Sequence, residues 1–345
     1  MQPTRLASST ASSVASVLRA PRGRPTTTWV DRFSAHSVRR LARALSVLAL
    51  SVLALSVLAP MGTDVTLHAQ AATGATRGTL YIVGGGPQPA ALVREFVDLA
   101  GGTGKARIVV FAMASASGQT SGEAKAKDLR ALGAEAVNIW VQRDGADADS
   151  VVNAVRNATG IWFGGGDQSR LTAALGGSRT ATAIMERYRA GAVVGGTSAG
   201  AAVMSAVMLT GDEKRPGGAR RDTTLSMGTI DRDNITTADG FGLIDHAIID
   251  QHFLRRKRHN RLISLVLERE PHLGVGIDES TAIVVEPDGR WRVAGASVAV
   301  IYDARRSAIT TAGTLLGASG MSMHVLPAGG RFDPRTGVAT LGGGR

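Results

Sequence analysis

A serine near the middle of the chain lies in a pattern that is typical of a catalytic nucleophile. The apolar residues 192–194 lead into Gly-Thr-Ser-Ala-Gly at 196–200, and an alanine-rich stretch follows. This is the Gly-x-Ser-x-Gly spacing of a nucleophile elbow, where a tight turn between a strand and a helix exposes the hydroxyl, here that of Ser198. Glycines permit the strained turn, and amides at the helix start can stabilise an oxyanion. Because 43 of the 345 residues are glycine, a chance match stays open at this point.

A nucleophilic serine needs a base and a carboxylate that orients the base. His252 is the best candidate for the base, because it falls between a predicted strand and a predicted helix at the edge of the sheet. The acid is Glu279 or Asp278, which are neighbours in an apolar stretch where an unpaired carboxylate would be costly. The chain order is then serine, histidine, acid, which differs from the order in the α/β-hydrolases.

A glycine-rich segment can supply further oxyanion donors. Gly-Gly-Gly-Asp-Gln at 164–168 follows an apolar strand directly, and the next strand in the chain leads to the elbow. We expect the amides of Gly165 and Gly166 to complete an oxyanion hole with that of Ala199. The alternative is a simple helix-entry turn with Asp167 as its N-cap.

The elements that must position these groups alternate between apolar strands and helices. This pattern predicts an α/β fold with a parallel sheet covered on both faces, in a single domain over residues 72–345. We expect antiparallel strands at 291–293 and 297–302 to finish the sheet, followed by an uninformative glycine-rich tail. A glycine run at 84–86 lacks a dinucleotide-binding pattern and is interpreted as a turn. Residues 211–234 are predicted to be a surface excursion beside the cleft.

Cations crowd the first turns of a helix predicted over residues 254–267. The amino end of a helix is a poor place for positive charge, because the helix dipole is itself positive there. An anionic ligand, internal carboxylate partners or a solvated basic face could each account for this arrangement.

The amino-terminal residues have the composition of a leader. Residues 1–71 are predicted to be a disordered segment followed by a signal peptide at about 39–71. Arginines precede three copies of Leu-Ser-Val-Leu-Ala at 45–59, and Ala69-Gln70-Ala71 matches a cleavage site. We expect export to the periplasm or the medium, with no stable membrane association after cleavage. An uncleaved membrane anchor is the alternative.

The composition excludes several classes of function. The chain has no cysteine, so disulfides and thiolate chemistry are excluded. Its net charge of +11 mostly reflects the leader, where eight arginines face two acidic residues, so nucleic-acid binding is not expected. The histidines and acids do not cluster at ligand spacing, and neither a metal nor another cofactor is expected. The oligomeric state is left open, with a homodimer as one alternative.

Four motifs together carry a resemblance to a known family. They are Gly-Gly-Gly-Asp-Gln at 164–168, Gly-Gly-Thr-Ser-Ala-Gly-Ala at 195–201, Asp-Gln-His-Phe at 250–253 with its spaced arginines, and Gly-Ile-Asp-Glu at 276–279. The chain resembles the cyanophycinases, of the serine peptidase family that also holds the aspartyl dipeptidases. The resemblance covers about residues 78–302. It implies a flavodoxin-like sandwich of the class I glutamine-amidotransferase type, with antiparallel carboxy-terminal strands.

The resemblance also implies roles for residues of this chain. It implies Ser198 as nucleophile, His252 as base and Glu279 as orienting acid, with Asp278 as the second choice. The substrate would be cyanophycin, a poly-aspartate with arginine on each side-chain carboxyl, and the product β-aspartyl-arginine dipeptides. The residues implied to line the substrate cleft are Gln168, Gln251, Arg256, Arg258 and Arg261.

Two alternatives to a cyanophycin hydrolase remain. One is a peptidase for short aspartyl or β-aspartyl peptides on the same scaffold. The other is a non-catalytic binding protein, which an intact set of catalytic groups argues against. A glutamine amidotransferase is not expected, because those enzymes need a cysteine in the elbow.

Overall fold

Five parallel strands form the half of the main sheet that carries the serine elbow. The computed structural model describes residues 78–213 and 229–343. Numbered in chain order, the strands are β1 (Thr79–Val83), β2 (Arg107–Phe111), β3 (Glu135–Asn138), β4 (Gly160–Phe163) and β5 (Val193–Thr197). Their order in the sheet is β1, β5, β4, β2, β3, so the strand before Ser198 lies between two neighbours. Their continuous apolar sequences follow from burial on both faces.

Helices cover both faces of this sheet and connect its strands. They are α1 (Ala90–Leu99), α2 (Gly118–Ala131), α3 (Asp149–Asn157), α4 (Gln168–Leu175), α5 (Arg179–Arg189) and α6 (Ala199–Ala202). A seventh helix, α7 (His259–Glu268), packs on the second sheet described below. Alternate side chains of β1 enter opposite cores, with Tyr81 packing on the side of Phe96 and Trp162, and Ile82 on the side of Phe163. Phe96 meets Trp162 edge-on, with ring centroids 4.9 Å apart. The predicted α/β fold is confirmed.

Antiparallel strands extend the main sheet beyond β1. They are β10 (Thr281–Val285), β11 (Trp291–Gly295), β16 (Arg331–Asp333) and β17 (Val338–Thr340), and they follow β1 in that order. This confirms the predicted antiparallel carboxy-terminal strands. The glycine-rich tail is more structured than expected, because it supplies the last two strands of this sheet.

A second sheet of four strands contains the two strands that lead to His252 and Glu279. Its strands are β8 (Ile248–Gln251), β9 (Leu273–Ile277), β12 (Val298–Asp303) and β15 (Ser322–Pro327), in the order β15, β12, β9, β8. The prediction that the strands at 291–293 and 297–302 finish one sheet is therefore wrong. Gly295, with a φ of 109°, turns the chain out of the main sheet into the second one.

The helix expected at 254–267 begins later, at His259. The amides of Leu254 and Arg255 donate instead to Oδ1 of Asp278, at 3.1 and 3.0 Å. Lys257 has a φ of 52°, which is incompatible with a continuous helix. The run of cations thus lies mainly in a turn before α7, which removes most of the predicted conflict with the helix dipole.

Two short antiparallel pairs complete the described structure. They are β6 (Val207–Glu213) with β7 (Ile235–Asp239), and β13 (Ala308–Ile309) with β14 (Ala318–Ser319). Of the predicted surface excursion, residues 211–213 belong to β6, and β7 begins directly after its end at 234. Its residues 214–228 lie outside the described residues, as do the predicted leader and signal peptide at 1–71. Within residues 78–213 and 229–343, no helix has the length and apolarity to cross a membrane.

Candidate active site

Ser198 lies in a strained turn between β5 and α6. Its backbone has φ 56° and ψ −113°, a conformation that residues with a side chain rarely adopt. A Cβ atom on Gly196 would overlap the carbonyl oxygen of Gly200, and a Cβ atom on Gly200 would overlap that of Phe163. Packing therefore requires both glycines of the motif, and the segment has the strand, turn and helix of a nucleophile elbow.

The three side chains predicted to form a triad are joined by two hydrogen bonds. The distance from Ser198 Oγ to His252 Nε2 is 2.9 Å, and that from His252 Nδ1 to Glu279 Oε1 is 2.7 Å. Because a carboxylate only accepts hydrogen bonds, the imidazole proton lies on Nδ1 and leaves Nε2 free to accept from the hydroxyl. The arrangement can move a proton from the serine to the histidine.

Strained backbone occurs at two of these three residues and directly after the third. Among the described residues, six that are not glycine have a φ in the left-handed region, and they include Ser198, His252 and Ser280, the neighbour of Glu279. The peptide amide of His252 donates to the carbonyl of Gly84 at 2.6 Å, which holds the turn after β8 against the end of β1. Such conformations concentrate at functional sites, where the surrounding structure enforces them.

The glycine run after β1 makes room for the base and the acid. A Cβ atom on Gly85 would lie 2.5 Å from Nε2 of His252, and one on Gly86 would lie 2.7 Å from Cβ of Glu279. The sequence pattern predicts only a turn for this run and does not indicate its role at the site. The available signal was its place at the carboxyl end of a strand next to the elbow strand, where ligand sites of α/β sheets form.

Asp278, the second choice for the orienting acid, has other partners. Its Oδ1 accepts the amides of Leu254 and Arg255, and its Oδ2 accepts the hydroxyl of Ser297 at 2.8 Å. The carboxylate thus fixes the turn after His252 and does not contact the imidazole in this structure. Of the two neighbouring acids, it is Glu279 that the fold brings to the base.

The glycine segment at 164–168 lies beside the serine, as expected from its place after β4. A Cβ atom on Gly165 would be 3.3 Å from Cβ of Ser198. Within the described part of the chain, the amides of Gly165 and Gly166 donate no hydrogen bond, and Ala199 is the first residue of α6, where an amide has no partner in the helix. Asp167 also caps α4 by accepting a hydrogen bond from the amide of Ser169. The same loop is therefore also the helix-entry turn that was the alternative to an oxyanion hole.

The surroundings of His252 favour its neutral form. Burial lowers the pKa of His252, and the charges of Arg256 and Arg258 lower it further, whereas the hydrogen bond and charge of Glu279 raise it. The resulting pKa lies below the usual value of 6.5. A histidine that is neutral at neutral pH can act as a general base.

Two of the arginines implied for the substrate cleft are instead buried around the strand that leads to His252. Arg261 forms a two-pronged contact with Asp250, through Nε to Oδ2 at 2.7 Å and through Nη2 to Oδ1. Nη1 of Arg258 donates to the backbone carbonyl and to Oε1 of Gln251, at 2.6 and 2.8 Å. Asp250 is fully buried, so its carboxylate needs these internal cations. Both guanidinium groups thus bind groups of the protein itself, which differs from the contact with substrate that the resemblance implies.

The other two residues implied for the cleft differ from one another. Gln168 is buried, and its Nε2 donates to the carbonyl of Leu209 in β6. Arg256 is exposed and close enough to His252 for its charge to act on the imidazole. Of the five residues, Arg256 is thus the one that the structure leaves exposed to a ligand at the base.

No group of three or more histidine, aspartate or glutamate side chains within residues 78–213 and 229–343 has the arrangement to hold a metal ion.

Comparison with known families decides the class of this site. The sequence model of peptidase family S51 matches residues 82–291, which include all three hydrogen-bonded side chains. The chain belongs to peptidase family S51. It is a serine-type peptidase, as the elbow and its neighbours indicate.

Several curated relatives are named cyanophycinase. A cyanophycinase from Nostoc sp. is 33% identical over 269 residues, which cover 75% of this chain and 86% of the relative. A cyanophycinase from Geminocystis herdmanii is 30% identical over 272 residues, covering 75% of this chain and 95% of the relative. A solved peptidase from an acI-B1 Actinobacterium is 22% identical with a TM-score of 0.51, covering 73% of this chain and 98% of the other, and has a similar fold.

Proposed function

We propose that this S51 peptidase is an exported hydrolase that degrades cyanophycin to β-aspartyl-arginine dipeptides. The observation that carries the proposal is the hydrogen-bonded series Ser198, His252 and Glu279, in a chain whose curated relatives are named cyanophycinase. The reaction would be acyl transfer from the aspartyl backbone to the serine, followed by hydrolysis of the ester.

In the first step, Ser198 Oγ attacks the carbonyl carbon of an aspartyl residue of the main chain. His252 Nε2 takes the hydroxyl proton across the 2.9 Å hydrogen bond, and Glu279 stabilises the resulting imidazolium through Nδ1. The amides of Ala199, Gly165 and Gly166 would stabilise the developing oxyanion. When the C–N bond breaks, the imidazolium returns its proton to the leaving amine.

In the second step, a water molecule replaces the amine next to His252. The imidazole removes a proton from the water as the water oxygen attacks the ester carbonyl. When the ester C–O bond breaks, the proton passes to Ser198 Oγ, which restores the free enzyme. The released product ends in the new carboxylate.

Charge near the base suits a substrate that is rich in carboxylates. Arg256 is exposed beside His252, so we propose that its guanidinium contacts a free carboxylate of the polymer. Arg258 and Arg261 would act indirectly, because their contacts with Gln251 and Asp250 hold the strand that ends at the base.

Export is proposed from the leader sequence alone. The arginines, the apolar repeat at 45–59 and the Ala-x-Ala site at 69–71 occur in the order of a signal peptide. We expect amino-terminal sequencing of protein from the periplasm or medium to begin at Ala72. Recovery of the uncleaved chain in the membrane fraction would contradict export without affecting the proposed chemistry.

The experiment for the activity is digestion of insoluble cyanophycin by the purified protein, with the products identified by mass spectrometry. We expect the wild type to clear the suspension and release β-aspartyl-arginine, Ser198→Ala to be inactive, and Ser121→Ala, a substitution of a surface serine on α2, to remain active. Cleavage of short aspartyl peptides without clearing would favour the dipeptidase alternative. Binding of the polymer without any cleavage would favour the non-catalytic alternative.

A further inference from the structure

A pocket of about 330 Å³ lies at the carboxyl ends of β2 and β3, on the far side of the glycine segment from His252. Its walls combine an apolar floor with an indole and two guanidinium groups. The lining includes Met113, Ser115, Trp140, Arg143 and Arg170. This volume accommodates a polar amino-acid side chain.

The pocket is joined directly to the loop that holds the proposed oxyanion donors. A Cβ atom on Gly166 would lie 2.9 Å from the amide nitrogen of Ser115, which lines the pocket. On the other side of the same loop, Gly165 contacts Ser198. Two glycines therefore separate the pocket from the nucleophile.

The position of His252 indicates on which side of Ser198 the leaving group and the acyl part of the substrate lie. In acyl transfer the histidine returns its proton to the leaving amine, so the leaving group lies on the side of His252. His252 contacts Gly85 at the end of β1, whereas the pocket follows β2 and β3 on the opposite side of β5. The acyl part of the substrate would extend toward the pocket.

The charges of the pocket favour an anion. Arg170 lies in the first turn of α4, where the helix dipole disfavours a cation. Its nearest acidic partner is Asp167, 3.9 Å away, and within the described residues its guanidinium donates no hydrogen bond. Arg143 is held by Asp147 at 3.0 Å and remains half-exposed at the pocket. A substrate carboxylate would give the Arg170 guanidinium a charged hydrogen-bond acceptor in addition to its long ion pair with Asp167.

The indole of Trp140 gives the pocket a fixed wall. A Cβ atom on Gly118 would lie 2.7 Å from Cδ1 of Trp140, so the start of α2 packs closely on the ring. Even so, Trp140 stays 39% exposed and lines the pocket. A fixed ring can hold the apolar part of a side chain while the arginines bind its charged end.

We propose that this pocket, built by Trp140, Arg143 and Arg170, binds a carboxylate-bearing residue of the substrate on the acyl side of the scissile bond. The proposal rests on the proposed peptidase mechanism for its direction. It makes the enzyme selective for an acidic residue immediately before the scissile aspartate.

The test uses two synthetic aspartyl peptides that differ only in the residue before the scissile aspartate, which is aspartate in one and asparagine in the other. We expect Arg170→Ala to lower kcat/KM for the aspartate peptide about tenfold or more, mainly by raising KM. The same substitution should change kcat/KM for the asparagine peptide by less than twofold. Arg170→Lys should retain part of the preference. Arg189→Ala, at an exposed arginine of α5, is the matched control. An equal loss on both peptides, or no loss on either, would overturn the proposal.

A binding measurement separates this proposal from the proposed function. In the inactive Ser198→Ala protein, we expect the aspartate peptide to change the fluorescence of Trp140, and the change to disappear in Trp140→Phe. Adding Arg170→Ala to Ser198→Ala should weaken binding of the aspartate peptide about tenfold. Arginine-dependent binding with no cleavage by the wild type would support the pocket and contradict the hydrolase. Cleavage with no Arg170-dependent preference would support the hydrolase and contradict the pocket.

Discussion

The ring of His252 lies so close to Gly85 that a Cβ atom on the glycine would be 2.5 Å from Nε2. That nitrogen is the atom that accepts the hydrogen bond of Ser198. The absence of a side chain after β1 is therefore part of the geometry of the base. The next glycine has the same relation to Glu279.

Substitution of Gly85 tests this relation. Gly85→Ala should displace the imidazole and lower kcat about 100-fold, because small displacements of catalytic groups have effects of this size. Gly289→Ala is the control, since Gly289 also has a positive φ, of 83°, but nothing lies within 4 Å of its missing Cβ. Both variants should lose about 1 kcal/mol of stability from the backbone. Equal kcat values for the two variants would show that the contact at Gly85 is irrelevant to the base.

Glu279 and Asp278 are distinguished by their partners. Glu279→Gln can present an amide N–H to Nδ1 and hold the wrong tautomer, so kcat should fall about 10³- to 10⁴-fold. Asp278→Asn keeps the shape of a group that binds Leu254, Arg255 and Ser297, and kcat should fall less than tenfold, with a lower melting temperature. Steady-state kinetics and thermal unfolding of both variants measure this. A larger loss of kcat in Asp278→Asn would assign the orienting role to the other acid.

The pH dependence of kcat/KM reports the free enzyme's base. Because burial and Arg256 lower the pKa of His252, activity should persist below pH 6.5 and fall at lower pH, where the imidazole is protonated. Removing the positive charge in Arg256→Gln should raise that pKa and move the acid limb to higher pH. Arg255→Gln, at a neighbouring exposed arginine, should leave the limb in place. A shift in the opposite direction would contradict the assignment of this limb to His252.

The internal position of Arg261 predicts an effect on stability. Arg261→Met leaves the fully buried carboxylate of Asp250 without its two-pronged partner, and should lower the free energy of unfolding by about 3–5 kcal/mol. Arg255→Met, at the surface, should change it by less than 1 kcal/mol. Urea unfolding of both variants measures the difference. A variant at 261 with unchanged stability and impaired substrate binding would place that arginine in the cleft instead.

The elbow was accessible from the sequence because it depends on a local pattern, whereas the choice of Glu279 over Asp278 came from the family resemblance. Glycine spacing around Ser198 predicts the turn, and few histidines compete with His252 for the base. The spacing of apolar strands likewise predicts the parallel half of the sheet. The turn and the strands are each determined by residues near one another in the chain.

Features that depend on distant contacts were not accessible. The start of α7 at His259 is set by Asp278, some twenty residues away, which binds the amides before it. The burial of Arg261 is set by Asp250, whose place in the second sheet has no sequence signature. The role of Gly85 depends on a histidine that enters from another sheet. A motif identifies these residues, but their partners decide whether they face substrate or one another.

The most direct test of the central claim is the labelling of Ser198 by a fluorophosphonate reagent, followed by peptide mapping with mass spectrometry. A serine activated by His252 should be modified stoichiometrically, at 198 and at no other serine. Labelling should be slowed at least 100-fold in His252→Ala, while Ser121→Ala labels like the wild type. Failure to label Ser198, or equal rates in wild type and His252→Ala, would contradict the account.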